Sequence, residues 1–192
     1  MTGLAVGTTK FFADATKDAM KYESTMAEVA KVVDELKDDN GNFTVHYDEM
    51  KSGLKDMTTL IPMEFEDAGA IAAAFGQSGV TSTPEILNYT ADAAKMAIAF
   101  DSDAKQSGEW MATWKQAFNL AENEIVNLAD QLNYLSNNTN ATAADLAGIV
   151  TRVGSLGGMA GVNTSSVAAM ADVLVATALT TTPPQPACAI CS

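Results

Sequence analysis

From Glu64 onward the chain interrupts itself at a nearly even step. Helix-start signals fall at Glu64, Thr83, Asp103, Ala121, Thr142 and Asn163, separated by 19, 20, 18, 21 and 21 residues. Each interval holds about four turns of α-helix and a short connector. Thr83 precedes Pro84, whose fixed φ suits a first helical turn. Asp103 is followed three residues on by Gln106, and Thr142 by Asp145. That spacing lets a side-chain oxygen accept from a free backbone N–H of the first turn. Asn163 is a weaker cap, and Ala121 has no acceptor, although Glu124 still suits the positive end of the helix dipole. The connectors contain "GQSGVTS", "SNNTN" and "GSLGGMAG", the last read as a flexible inter-helix turn. Short helices at an even step predict consecutive antiparallel helices packed as hairpins. The units share no detailed sequence identity, so the pattern is a rhythm and not a proven repeat.

Upstream, the apolar residues Phe12, Ala15, Ala19, Tyr22, Met26, Val29 and Val33 recur every three or four positions. They form one helical stripe and predict a long charged helix, with Asn40-Gly41 as its stop. A second helix is expected over about 45–60, broken by Pro62. "FTVHY" (43–47) is the one β-rich run, and it is short. The expected fold is all-α: a long N-terminal helix, an array of helical hairpins, and a disordered C-terminal tail. The expected divisions are 1–62, 63–179 and 180–192.

Composition narrows the function. Apolar residues make up 47% and aromatics only 7%, which suits closely packed Ala-rich helices. Eleven Lys and Arg against 24 Asp and Glu give a net charge of −13. Such a surface repels phosphate backbones and anionic membranes, and a basic partner would fit it better. "AGAIAAAF" (68–75) is far short of a membrane span, and "VAAMADVLVATAL" (167–179) carries Asp172. Residues 1–12 lack the pattern of a secretory signal, so the Asn-x-Ser/Thr sequons carry no weight.

No candidate chemistry survives comparison with a structural role. His46 is the single histidine, with no cysteine nearby to complete a zinc site. Trp110, Trp114 and Phe118 are spaced i, i+4, i+8 with Met111 beside them, as expected of a buried helix face. "DELKDD" (34–39) and "EFED" (64–67) read as solvated helix ends without the offsets of a calcium loop. "GSLGGMAG" (154–161) lacks the lysine and preceding strand of a phosphate-binding loop. Cys188 and Cys191 form C-x-x-C, but Pro-rich coil precedes them and no helix follows. The expectation is no enzyme, with no catalytic, cofactor or metal residues.

Five stretches, taken together, resemble the phage tail tape measure proteins. They are "KYESTMAEVAKVV" (21–33), "IPMEFEDAGAIAAAFGQSGV" (61–80), "ADAAKMAIAFD" (91–101), "SGEWMATWKQAF" (107–118) and "IVNLADQLNYLSNNTNATAADLAGIVTRVG" (125–154). The core at Asn133–Ala141 and the R-V-G at Arg152–Gly154 are the most specific. Trp110 departs from the family's usual Met, and Ala121 from its Thr/Ser cap. The resemblance implies a structural virion protein that acts in tail assembly and sets tail length. It implies a place in the tail tube lumen, or in the host bacterial cytoplasm during assembly, with tail tube protein and assembly chaperones as partners. Family members continue into further helices where "TTTPPQPACAICS" stands here, so the chain reads as a truncated, prophage-type remnant. An apolar face at Val167, Met170 and Leu174 is then expected to favour self-association. The competing reading is a cellular helical adaptor that binds a basic partner.

Overall fold

The computed structural model describes residue 17, residues 19–160 and residues 164–180. Helix α1 covers 19–29. A 3-10 turn at Asp34–Leu36 follows, then α2 (Val45–Leu60), α3 (Phe65–Gln77), α4 (Thr83–Phe100), α5 (Ala104–Phe118), α6 (Glu122–Asn138), α7 (Ala143–Ala160) and α8 (Thr164–Thr180). The described residues form an all-α fold whose pairing outside helices is a lone antiparallel bridge between Lys37 and Phe43. "FTVHY" is therefore no strand: Thr44 is the N-cap of α2, and Val45 to Tyr47 are its first turn.

The even step of the sequence is the step of the structure. Asp103 caps α5, its Oδ1 accepting from Gln106 N at 3.0 Å. Thr142 Oγ1 accepts from Asp145 N at 3.1 Å and donates to Asp145 Oδ2 at 2.7 Å. At α6 the cap is half complete, because Ala121 offers no acceptor while Glu124 Oε2 accepts from Ala121 N at 2.8 Å. Two helices end on a left-handed residue other than glycine. Asp101 after α4 and Asn119 after α5 take the left-handed conformation, with φ of 50° and 52°. Short polar side chains tolerate that region better than most residues, and there the last carbonyls are satisfied. Asp101 N, for instance, donates to Ile98 O at 3.4 Å.

Consecutive helices from α2 to α8 touch, and each also touches the helix two places on. The result is two rows: α3, α5 and α7 in one, α2, α4, α6 and α8 in the other. Glycines set the spacing of the first row. A Cβ on Gly108 of α5 would stand 3.0 Å from Ile71 side-chain atoms of α3 and 3.2 Å from its Cα. One on Gly154 of α7 would meet the Phe118 ring of α5 at 2.8 Å. Gly69 and Gly76 of α3 likewise make room for Thr25 and for Val32 and Val33. The buried side chains from Met26 to Ala171 form one connected apolar cluster. The Phe75 and Tyr89 rings stack in it, centroids 4.6 Å apart.

Two expectations change. The stripe of apolar residues runs to Val33 and Leu36, both buried, but the α-helix ends at residue 29. The chain reaches those positions through a turn and the 3-10 segment. Asn40-Gly41 belongs to the following loop, where Gly41 has φ 82°. Gly154, Gly157 and Gly158 of "GSLGGMAG" do not interrupt α7, which runs through to Ala160, and Gly161 lies outside the described residues. Close packing of Gly154 on Phe118 uses glycine as a contact there and not as a breaker. The C-x-x-C tail lies outside the described residues.

Candidate interaction surfaces

The residues singled out for chemistry are absorbed by the fold. Trp114 is fully buried, and its Nε1 donates to Thr151 Oγ1 at 2.8 Å, tying α5 to α7. Thr151 Oγ1 in turn donates to Ala147 O at 2.8 Å. Trp110 and Met111 are buried beside it, and Phe118 packs against the core from its edge. The expected core face is the observed one.

His46 lies at the start of α2, between two carboxylates. Its Nδ1 is 3.0 Å from Glu49 Oε2 and its Nε2 is 3.4 Å from Glu35 Oε1. Glu35 is occupied on its other oxygen, Oε2, which accepts from Thr83 N at 2.7 Å and from Thr83 Oγ1 at 3.1 Å. A carboxylate from the 3-10 turn thus caps α4, 48 residues further along the chain. It satisfies a first-turn N–H and complements the positive helix end. No sequence motif signals this pairing, since the partners are local to different elements.

Near the end of the acidic run 34–39, Asp38 holds the following turn. Asp38 Oδ1 accepts from Asn40 N at 2.9 Å and from Asn42 N at 2.8 Å, and its Oδ2 accepts from Asn42 Nδ2 at 3.1 Å. The Asn42 side chain first, then its backbone N–H, hold the Asp38 carboxyl below its ordinary value. In the second run, Glu66 pairs with Lys21 of α1 at 2.9 Å, and that contact lowers the Glu66 carboxyl in the same way. Among the described residues no group of three or more His, Cys, Asp or Glu side chains is arranged to hold a metal ion.

What the surface offers is grooves. One groove, about 490 Å³, lies between α6 and α8. Asn127, Asp130, Gln131 and Tyr134 line one wall, and Ala168 and Ala169 the other. A second, about 160 Å³, lies between α4 and α6, with Asp92, Lys95 and Met96 facing Val126, Ala129 and Asn133. Both open between neighbours of the even-numbered row. Their walls mix amides, carboxylates, the Ser165 hydroxyl and small apolar groups. No helix among the described residues is long and apolar enough to cross a membrane.

Family comparison decides what kind of protein carries such surfaces. The family described as phage-related minor tail protein matches residues 51–182, which is α2 from its second turn through α8. The chain belongs to that family. Among curated relatives, it is 34% identical over 166 residues to the "Probable tape measure protein" of Halomonas phage phiHAP-1 (isolate -/Gulf of Mexico/-/2001). The alignment takes in 79% of this chain but only 18% of that protein, so the chain spans less than a fifth of its relative's length. No solved structure matches. The family that the model describes is one of phage tail proteins.

Proposed function

We propose that the chain is a compact helical module of a tape measure protein, acting in tail assembly and in the determination of tail length. The observation that carries this reading is the pairing of family membership with a folded two-row stack of helices. A ruler works by extended helical length, about 1.5 Å per residue. The helices of the stack run only 13 to 18 residues from α3 to α8 and fold back on one another. The module then serves as a docking unit, and extended portions of longer relatives supply length. Residues 63–179 form its hairpin array. Tail tube protein and tail assembly chaperones are the partners this role calls for, in the tube lumen or in the host cytoplasm during assembly. An acidic surface of net charge −13 favours basic faces on those partners.

The experiment is deletion of the region equivalent to residues 51–182 from the tape measure gene of a phage that encodes it, with tails examined by electron microscopy. Loss of tails, or tails of irregular length, is the expected result. Normal tails of normal length would overturn the proposal.

A further inference from the structure

We propose that the cleft between α4 and α6 is an anchor site for a partner protein, taking one phenylalanine-sized side chain from a segment that carries a lysine or arginine beside it. The inference stands on the cleft itself and holds whether or not the chain acts in tail assembly.

The cleft follows from small residues in the even-numbered row. Ala99 of α4 and Ala129 of α6 both line it, and two methyl groups leave a space there that larger side chains would fill. Its floor is apolar: Met96 and Phe100 of α4 and Met111 of α5 are all buried in the core. The volume is about 160 Å³. A small-molecule site usually holds roughly 300–1,000 Å³. An apolar cavity of about 150 Å³ takes one benzene ring. The space therefore suits a single ring and not a whole cofactor. Two thioethers in the floor let it adjust to the shape of what enters. The residues that line the cleft belong to α4, α5 and α6, all of them described, and Lys95, Ala99 and Asp130 among them are exposed.

Charge selects the occupant. At the rim Lys95 Nζ is already paired with Asp92 Oδ1 at 2.9 Å, and Asp130 stands exposed on the facing helix. Two carboxylates against one ammonium leave the rim at −1, on a molecule of −13. That field repels a second copy of the chain and draws a basic segment. Asp130 also lines the neighbouring groove between α6 and α8, so a cation has room to reach it from that side. Tyr134, one turn beyond Asp130 on α6, is 69% exposed. Its ring is apolar in body and polar at the tip, a type enriched where proteins meet. A desolvated pocket for one large side chain, inside a polar rim, is the usual energetic centre of a protein interface. On a partner helix, a cation three or four residues from the anchor shares its face. It can then sit over Asp130 while the ring fills the cleft.

The test is NMR of the full chain with methyl-labelled methionine, titrated with an alanine-based helical peptide. The peptide carries one phenylalanine, with a lysine three residues before it and another three after. Saturable shifts of the Met96 and Met111 methyl groups are the expected result, while those of Met26 and Met50, buried but not lining the cleft, stay in place. Replacing the peptide's phenylalanine with alanine should remove the shifts. On the protein, Ala99→Phe should close the cleft to the peptide, and Asp130→Lys should weaken binding by on the order of tenfold. Both positions are exposed, so circular dichroism should be unchanged. Unshifted Met96 and Met111 methyls overturn the proposal. So does a peptide that binds equally well without its phenylalanine, with glutamates in place of its lysines, or to the Ala99→Phe variant. The same shifts appearing with protein concentration alone would mean that a second copy fills the cleft, and would overturn it as well.

Discussion

Two glycines of the same row, Gly76 on α3 and Gly148 on α7, have opposite meanings, and a single methyl group distinguishes them. A Cβ at Gly76 would stand 2.9 Å from the carbonyl oxygen of Val32, a backbone atom that cannot swing aside. Gly76→Ala is expected to destabilise the chain by about 1–3 kcal/mol through overpacking. Gly148→Ala should do the reverse, stabilising the monomer by about 0.5–1 kcal/mol, since its helix gains propensity and nothing is displaced. Denaturant titration of both variants, compared at equal slope, checks the pair. Glu35 offers a second residue-scale measurement. Glu35→Ala removes two hydrogen bonds from Thr83 and should cost about 1–2 kcal/mol, with the loss felt at the start of α4. Hydrogen exchange at the first amides of α4 would register it. The sequence carries none of this. Gly76 and Gly148 look alike in one dimension, because what separates them is the neighbour that α1 brings or that no described element brings.

At the scale of the element, local chemistry was legible and long-range chemistry was not. The starts of α5 and α7 could be read from Asp103 and Thr142, because a cap and its N–H lie within one turn of each other. The left-handed ends at Asp101 and Asn119 were missed, since neither residue carries the usual glycine signal. Residues 154–160 were misread for a related reason: helix α7 continues through glycines because Phe118 packs on Gly154, and that contact comes from another helix. The buried face at Trp110, Trp114 and Phe118 was legible, being periodic along one helix, but the bond from Trp114 to Thr151 was not. Of the surfaces, the expected apolar face of α8 holds only in part: Met170 is exposed, Val167 is buried in the core and the Leu174 side chain lies outside the described residues, while the groove between α6 and α8 has no signature in either helix alone. One element invites repair. Ala121 already donates to Glu124, so Ala121→Ser would complete the reciprocal cap of α6. A gain of about 0.5–1 kcal/mol is expected, read as a raised Tm by calorimetry.

For the whole molecule, the carboxyls and phenols define the pH limits. Asp38 and Glu66 sit below their ordinary values, so the folded chain binds fewer protons there than the unfolded one. Their contribution is present above the usual carboxylate range and is lost as pH falls through the lowered folded values, in acid below about pH 4. Tyr47 and Tyr89 are raised, by burial first and then by Glu23 and Asp48 or Glu85 and Glu122. That contribution is complete below the ordinary phenol value and disappears as pH rises through the higher folded ones, above about pH 10. A plot of Tm against pH should therefore fall at both extremes, and Asp38→Asn should flatten the acid limb. Size gives an independent check of the compact stack. A folded chain of this length has a radius of gyration of about 16 Å, which small-angle scattering of the monomer would distinguish from a rod of about 150 Å.

The closure of α1 over α3 has a mechanical consequence. That end is held by the ring contact of Tyr22 with Phe65, the Lys21–Glu66 pair and the Glu35 clasp on Thr83. Among the described elements, helix α8 packs chiefly on α6 and α7. Stretched between its termini, a lone copy should therefore peel from the α8 side and surrender its helices in reverse order of synthesis, with α1 among the last to let go.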